Sequence, residues 1–159
     1  EAYAISNRKD KWVIEITVSE SIIKWLKTFD PEEYWKMKQI DTDIQSAKVD
    51  SYSLAREPVR NEKTYITGNK VITDHYMLRA RLSSLENMDC IENNGFGEAL
   101  EDWVSEQNRN KNFPRIPDAV VQHISVTTPF YLGKTATDNS IYQLTVAIKY
   151  EKKEKDPLL

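Results

Sequence analysis

Residues 70–82, KVITDHYMLRARL, place Ile72, Tyr76, Leu78, Ala80 and Leu82 on one side and Thr73, His75, Arg79 and Arg81 on the other. A period of two is the mark of a strand with one buried and one open face, because successive side chains leave the pleat in opposite directions. The stretch predicts an antiparallel strand in a sheet covered on one face, with Arg79 and Arg81 turned to water or a partner.

Working outward, residues 58–69, PVRNEKTYITGN, are charged and end in the turn cue Gly68-Asn69. With a strand expected over Tyr52–Glu57, they predict a long exposed β-hairpin around Val59 to Val71, poorly ordered in an isolated monomer. Further along, AVVQHISVTT places Val120, Ile124 and Val126 on one side. SIYQLTVAIKY places Tyr142, Leu144, Val146, Ile148 and Tyr150 on one face and is the clearest strand in the chain. Near the start, residues 11–18, KWVIEITV, read as a short strand or extended arm.

Two segments carry helical spacing. Ser19 is the expected N-cap of ESIIKWLKTF, where Ile22, Ile23, Leu26 and Phe29 share a face and Asp30-Pro31 ends the run. The segment PEEYWKMKQI that follows presents Tyr34, Trp35 and Ile40 as partly buried. In residues 95–117, GFGEALEDWVSEQNRNKNFPRIP, a glycine-softened helix start precedes a stripe of Phe96, Leu100, Trp103 and Gln107, then a loop set by Pro114 and Pro117. The expected fold is α+β: one domain, a mainly antiparallel sheet packed on one face by two or three helices, with a long exposed hairpin. Trp25, Phe96, Leu100, Trp103 and Tyr142 are the expected core anchors. Residues 1–18 form an extension or extra strand, 19–150 the domain, and 151–159 a charged tail expected to be disordered.

The composition excludes several functions. Charged residues make up 30% and hydrophobic residues 40% of the 159, and no apolar run approaches the ~20 residues of a membrane span. The net charge of −3 has the wrong sign for a surface that wraps nucleic acid. One cysteine, Cys90, and two histidines offer neither an internal disulfide nor metal-ligand spacing, and fit a reducing, cytosolic origin.

Gly95-Phe96-Gly97 lacks the third glycine of a dinucleotide loop and is followed by Glu98, Glu101 and Asp102, which repel phosphate. Cys90 would need His75 or His123 beside it to act as a nucleophile. The carboxylates Glu98, Glu101, Asp102 and Glu106 read as a solvated helix face rather than an acid–base pair. No cofactor, metal or catalytic residue is expected. What remains is Arg56, Arg60, Lys63, Tyr65, Lys70, Arg79 and Arg81 in or near the hairpin. Interspersed Glu57, Glu62 and Asp74 make a protein-contact surface the better reading and a nucleic-acid-binding accessory role the rival.

The order EALEDWVSEQNRNKNFPRIPDAVVQHISV, a polar gap containing FYLG, then IYQLTVAIKY resembles the small tail-terminator and minor capsid proteins of long-tailed phages and prophages of Gram-positive bacteria. The resemblance runs from about Asp74 to Tyr150, and the helix SESIIKWLKTF fits the helix with which such proteins begin. It implies a non-enzymatic subunit of the virion tail, assembled in the bacterial cytoplasm, that forms a six-membered ring with its own copies. The ring caps the tail-tube protein and meets the head–tail connector protein, DNA passing through its lumen without specific binding. A related head–tail connector or minor capsid role is the nearest alternative. On this reading, deleting Arg60 to Lys70 leaves a folded monomer that fails to cap tubes.

Overall fold

The computed structural model of the chain describes residues 4–8, 11–14, 16–31 and 35–153, the first two segments as backbone only. In chain order the elements are β1 (Ala4–Arg8), β2 (Lys11–Ile14), α1 (Val18–Leu26), β3 (Ile40–Thr42), β4 (Ser51–Thr64), β5 (Lys70–Ser83), α2 (Asn87–Arg109), β6 (Ala119–Thr135) and β7 (Asn139–Lys152). β1 and β2 pair as an antiparallel ribbon. The other five strands form one sheet in the order β3-β4-β5-β7-β6, antiparallel except for the short parallel pair β3–β4. The fold is α+β.

The opening stretch is the sheet's centre. β5 pairs with β4 on one side and, from Lys70 to Ser83, with β7 on the other. β5 and β6 both run antiparallel to β7 and so run the same way. α2 carries the chain across between them and β7 returns into the gap. Ile72, Tyr76, Leu78, Ala80 and Leu82 are buried together with Tyr142, Leu144, Val146, Ile148 and Tyr150 of β7. α1 and α2 cover this face.

The helices are locked to the sheet by aromatic contacts. Ile22, Trp25, Leu26 and Phe29 are buried on α1, and Phe96, Leu100 and Val104 on α2. Trp25 lies 4.6 Å from Trp103 between ring centroids, and Phe29 packs edge-on against Phe96 at 5.8 Å and Trp103 at 5.5 Å. Such pairs add to plain area burial. Trp25 also donates its indole N–H to the Asn112 carbonyl at 2.8 Å, tying α1 to the loop after α2. In that loop Pro114 and Ile116 are buried, while Lys111 and Asp118 take positive φ of 56° and 58° at its two turns.

Several boundaries differ from the sequence reading. α1 is capped by Thr17, whose hydroxyl accepts from the Glu20 N–H at 3.1 Å, so Ser19 lies inside the helix. α2 begins at Asn87, eight residues before the glycine pair, behind a capping box of Glu86 and Asp89. Gly95 and Gly97 are therefore mid-helix rather than a helix start, and Gly97 packs closely against Phe130. Among β6 residues, Val120 is exposed because the ladder slips between Val121 and His123, which turns Val121 inward alongside Ile124.

β4 runs on through Pro58 to Thr64, its register shifting between Arg56 and Arg60. The expected hairpin does not stand apart from the body, since its second arm, β5, is paired with β7 from Lys70 onward. Glu151 and Lys152, assigned to the tail, continue β7, and 154–159 lie outside the described residues, as does Tyr34. Trp35 is half-buried and Ile40 buried, as expected, and Met37 between them is fully buried.

Candidate subunit interface

The seven residues predicted to form a contact surface separate into three groups and a lone Arg56. At the turn, Tyr65 accepts from Gly68 N–H and donates its own N–H to the Asn69 carbonyl, and Gly68 supplies the φ of 91° the turn requires. Lys63 lies 5.5 Å from the Tyr65 ring centroid, and Lys70 is 3.7 Å from Glu62. Tyr65 is 45% exposed and its neighbour Ile66 wholly so. Lys63, Tyr65 and Lys70 thus share the sheet's outer tip.

Arg60 belongs elsewhere. Asp74 sits in the apolar row of β5 and is fully buried. Arg60 grips it with two bonds, Nε to Oδ1 at 2.7 Å and Nη2 to Oδ2 at 2.9 Å, and Tyr150 donates its hydroxyl to Oδ2 at 2.9 Å. A carboxylate stripped of water is costly unless its lone pairs are filled in this way. The bond to Asp74 holds the Arg60 guanidinium above its usual pKa, and burial, with Asp74 close by, pushes the Tyr150 phenol up. Arg60 therefore clasps the later half of β4, which β3 does not flank, to β5 beyond the register shift.

Arg79 and Arg81 do not face open water. Arg79 donates to the Asp43 carbonyl at 2.7 Å. Arg81 donates to the Ser46 carbonyl at 2.9 Å and to Asn139 Oδ1 at 2.8 Å. They hold the loop that joins β3 to β4 against the uncovered face of the sheet. On that face His75 Nδ1 and Arg79 Nε are buried with no hydrogen-bond partner among the described residues. Arg56 is exposed and stands opposite Tyr76 in the ladder. Four of the six predicted cations, Arg60, Lys70, Arg79 and Arg81, are thus engaged within the chain, which weakens a nucleic-acid surface.

The other candidates of the sequence reading are placed as follows. Cys90 lies on the helix side of the sheet near Tyr142, whereas His75 lies on the opposite side and His123 is exposed on β6. Among the described residues no group of three or more His, Cys, Asp or Glu could hold a metal ion. Glu101, grouped with the solvated acids, instead accepts the Phe130 N–H at 2.8 Å and ties α2 to β6. Trp25, Phe96, Leu100 and Tyr142 are buried and Trp103 is half-buried against them.

Sequence reasoning missed a second exposed feature. Leu85, Met88 and Ile91, spaced three apart at the start of α2, are 67%, 61% and 54% exposed. The other side of the same helix turns lines a cavity of about 280 Å³, walled by Trp35, Tyr52 and Phe96 and edged by Asp50, Asp89 and Glu92. Burial, and then the Asp50 charge, push the Tyr52 phenol up to about 12. The three-residue spacing is legible in the sequence once the helix is known to start at Asn87. Among the described residues no helix is long and apolar enough to cross a membrane. No protein-family model matches the chain, and no curated protein matches it.

Proposed function

We propose that the protein is a non-enzymatic tail-completion subunit of a long-tailed phage or prophage. On this reading it assembles with copies of itself into a ring that caps the tail tube and meets the head connector. Exposed apolar residues support the reading, among them Ile66 at the hairpin tip and the Leu85–Met88–Ile91 group. Exposed, grouped apolar side chains on a rigid body are what an assembly part needs and what a monomer avoids. The order of the helix, proline loop and closing strands supports the particular family of parts.

The test is the solution mass of the purified protein at tens of micromolar, with negative-stain images. A ring of about six copies is expected. A monomer that forms no ring, alone or with tail-tube protein, overturns the proposal. The matching functional test removes residues 62–69 and counts tail lengths. Arg60 is left in place because its loss would strand the buried Asp74, an effect on folding rather than assembly.

A further inference from the structure

The two exposed apolar groups stand at opposite ends of the same strand. The Tyr65–Ile66 turn leads into β5 at Lys70, and β5 ends at Ser83, just before Leu85 and α2. Fourteen strand residues separate them, about 45 Å of extended chain, so the two groups cannot meet within one molecule.

Their charges are opposite. Around the tip lie Lys63, Lys70, Lys152 and Lys153 against Glu62 and Glu151, Lys70 pairing with Lys152 in the ladder. On the same turns of α2 lie the exposed carboxylates Glu86 and Glu92, and Glu92 with Asp50 also rims the cavity on the helix's inner side. A basic apolar knob at one end and an acidic apolar face at the other are complementary, and such matching steers partners and sets their orientation.

We infer that the occupant of the Leu85–Met88–Ile91 face is the hairpin tip of a second copy of this chain. Ile66 and Tyr65 cover the apolar residues, and Lys63 reaches the carboxylates on the same turns. The inference rests on the assembly proposed above and deepens it. A contact between two different surfaces of one chain is head-to-tail, and repeats around a ring when the rotation closes. Each subunit in a closed ring is held at both ends, so a contact too small to sustain a dimer can sustain the ring.

The test uses the full chain with Cys90→Ser and one new cysteine, either Ile66→Cys or Met88→Cys. After mild oxidation a mixture of the two should give a disulfide-linked dimer, while either alone stays monomeric on a non-reducing gel. A chain carrying both cysteines should give a ladder ending at the ring size. In parallel, Ile66→Asp should weaken association about tenfold or more, with an unchanged circular dichroism spectrum. Lys63→Glu and Glu92→Lys should each weaken it, and mixing the two proteins should restore it. An intact ring with no mixed cross-link, or with tip-to-tip linkage alone, overturns this contact and leaves the ring standing. A wild-type protein that stays monomeric overturns both.

Discussion

Two alanine substitutions two positions apart should act in opposite directions. Gly95 and Gly97 both lie inside α2, where replacing glycine with alanine normally stabilises by about 1 kcal/mol through helix propensity. At Gly95 an added Cβ would meet the Trp35 ring at 3.5 Å, an ordinary contact, so Gly95→Ala should stabilise by roughly 0.5–1 kcal/mol. At Gly97 the same Cβ would lie 2.3, 2.6 and 2.7 Å from Phe130 Cδ2, Cγ and Cβ. Phe130 has little room to retreat. Its ring is stacked on Tyr142 at 5.2 Å, Phe96 packs edge-on at 5.5 Å, and its N–H is held by Glu101.

Either α2 or β6 must therefore shift, and overpacking of this kind costs about 1–3 kcal/mol. Setting the propensity gain against it leaves Gly97→Ala destabilised by up to about 2 kcal/mol, and the two variants about 0.5–3 kcal/mol apart. Urea denaturation with an unchanged m-value reads this directly, and the melting temperatures should differ by up to about 10 °C. Phe130→Leu, costly in the wild-type chain, should cost much less beside Gly97→Ala because it vacates the contested space. If Gly97→Ala proves as stable as Gly95→Ala, the packing argument for Gly97 is wrong.

Asp74→Asn should cost about 2 kcal/mol in urea denaturation by removing charge-assisted bonds from a buried site, and Arg60→Met should add little to it. Tyr52 ionises near pH 12 in the fold against a usual value of 10.0, so the folded state keeps a proton that the unfolded chain releases. Stability should be flat in this respect below about pH 10 and fall by roughly 2–3 kcal/mol between about pH 10 and 12, and Tyr52→Phe should remove that part of the slope. Thr17→Ala should lose about 1 kcal/mol with the N-cap of α1, again by urea denaturation. A loss no larger than that of an exposed Thr→Ala elsewhere would argue against the cap.

The strands with one buried face were legible because alternation survives in them, as β5 and β7 show residue by residue. The start of α2 was not, since NMDCIENN places Asn93 rather than an aliphatic residue on the buried stripe, and Gly95 and Gly97 read as breakers. Gly97 acts instead through Phe130, which touches it and which no local pattern reveals. β4 was cut short because Pro58 and five charges over Arg56–Lys63 mask a strand whose outer half has no core to face. Arg79 and Arg81 were placed on the right face, but the loop they hold comes from residues 43–46, too distant in sequence for spacing to connect. Asp74 was read only as one of the acids interspersed among the cations, and its burial in the apolar row of β5 against Arg60 was missed.

The register shifts of β4 and β6 carry a consequence for growth of the sheet. Pro58 lies in the shift between Arg56 and Arg60, and Pro129 in the shift between Thr128 and Tyr131, so each outer strand combines a kink with a missing N–H donor. A sixth strand from another molecule would find no long straight ladder to extend at these places. Edge-to-edge pairing into a cross-β ladder is therefore opposed at these two places by the backbone itself.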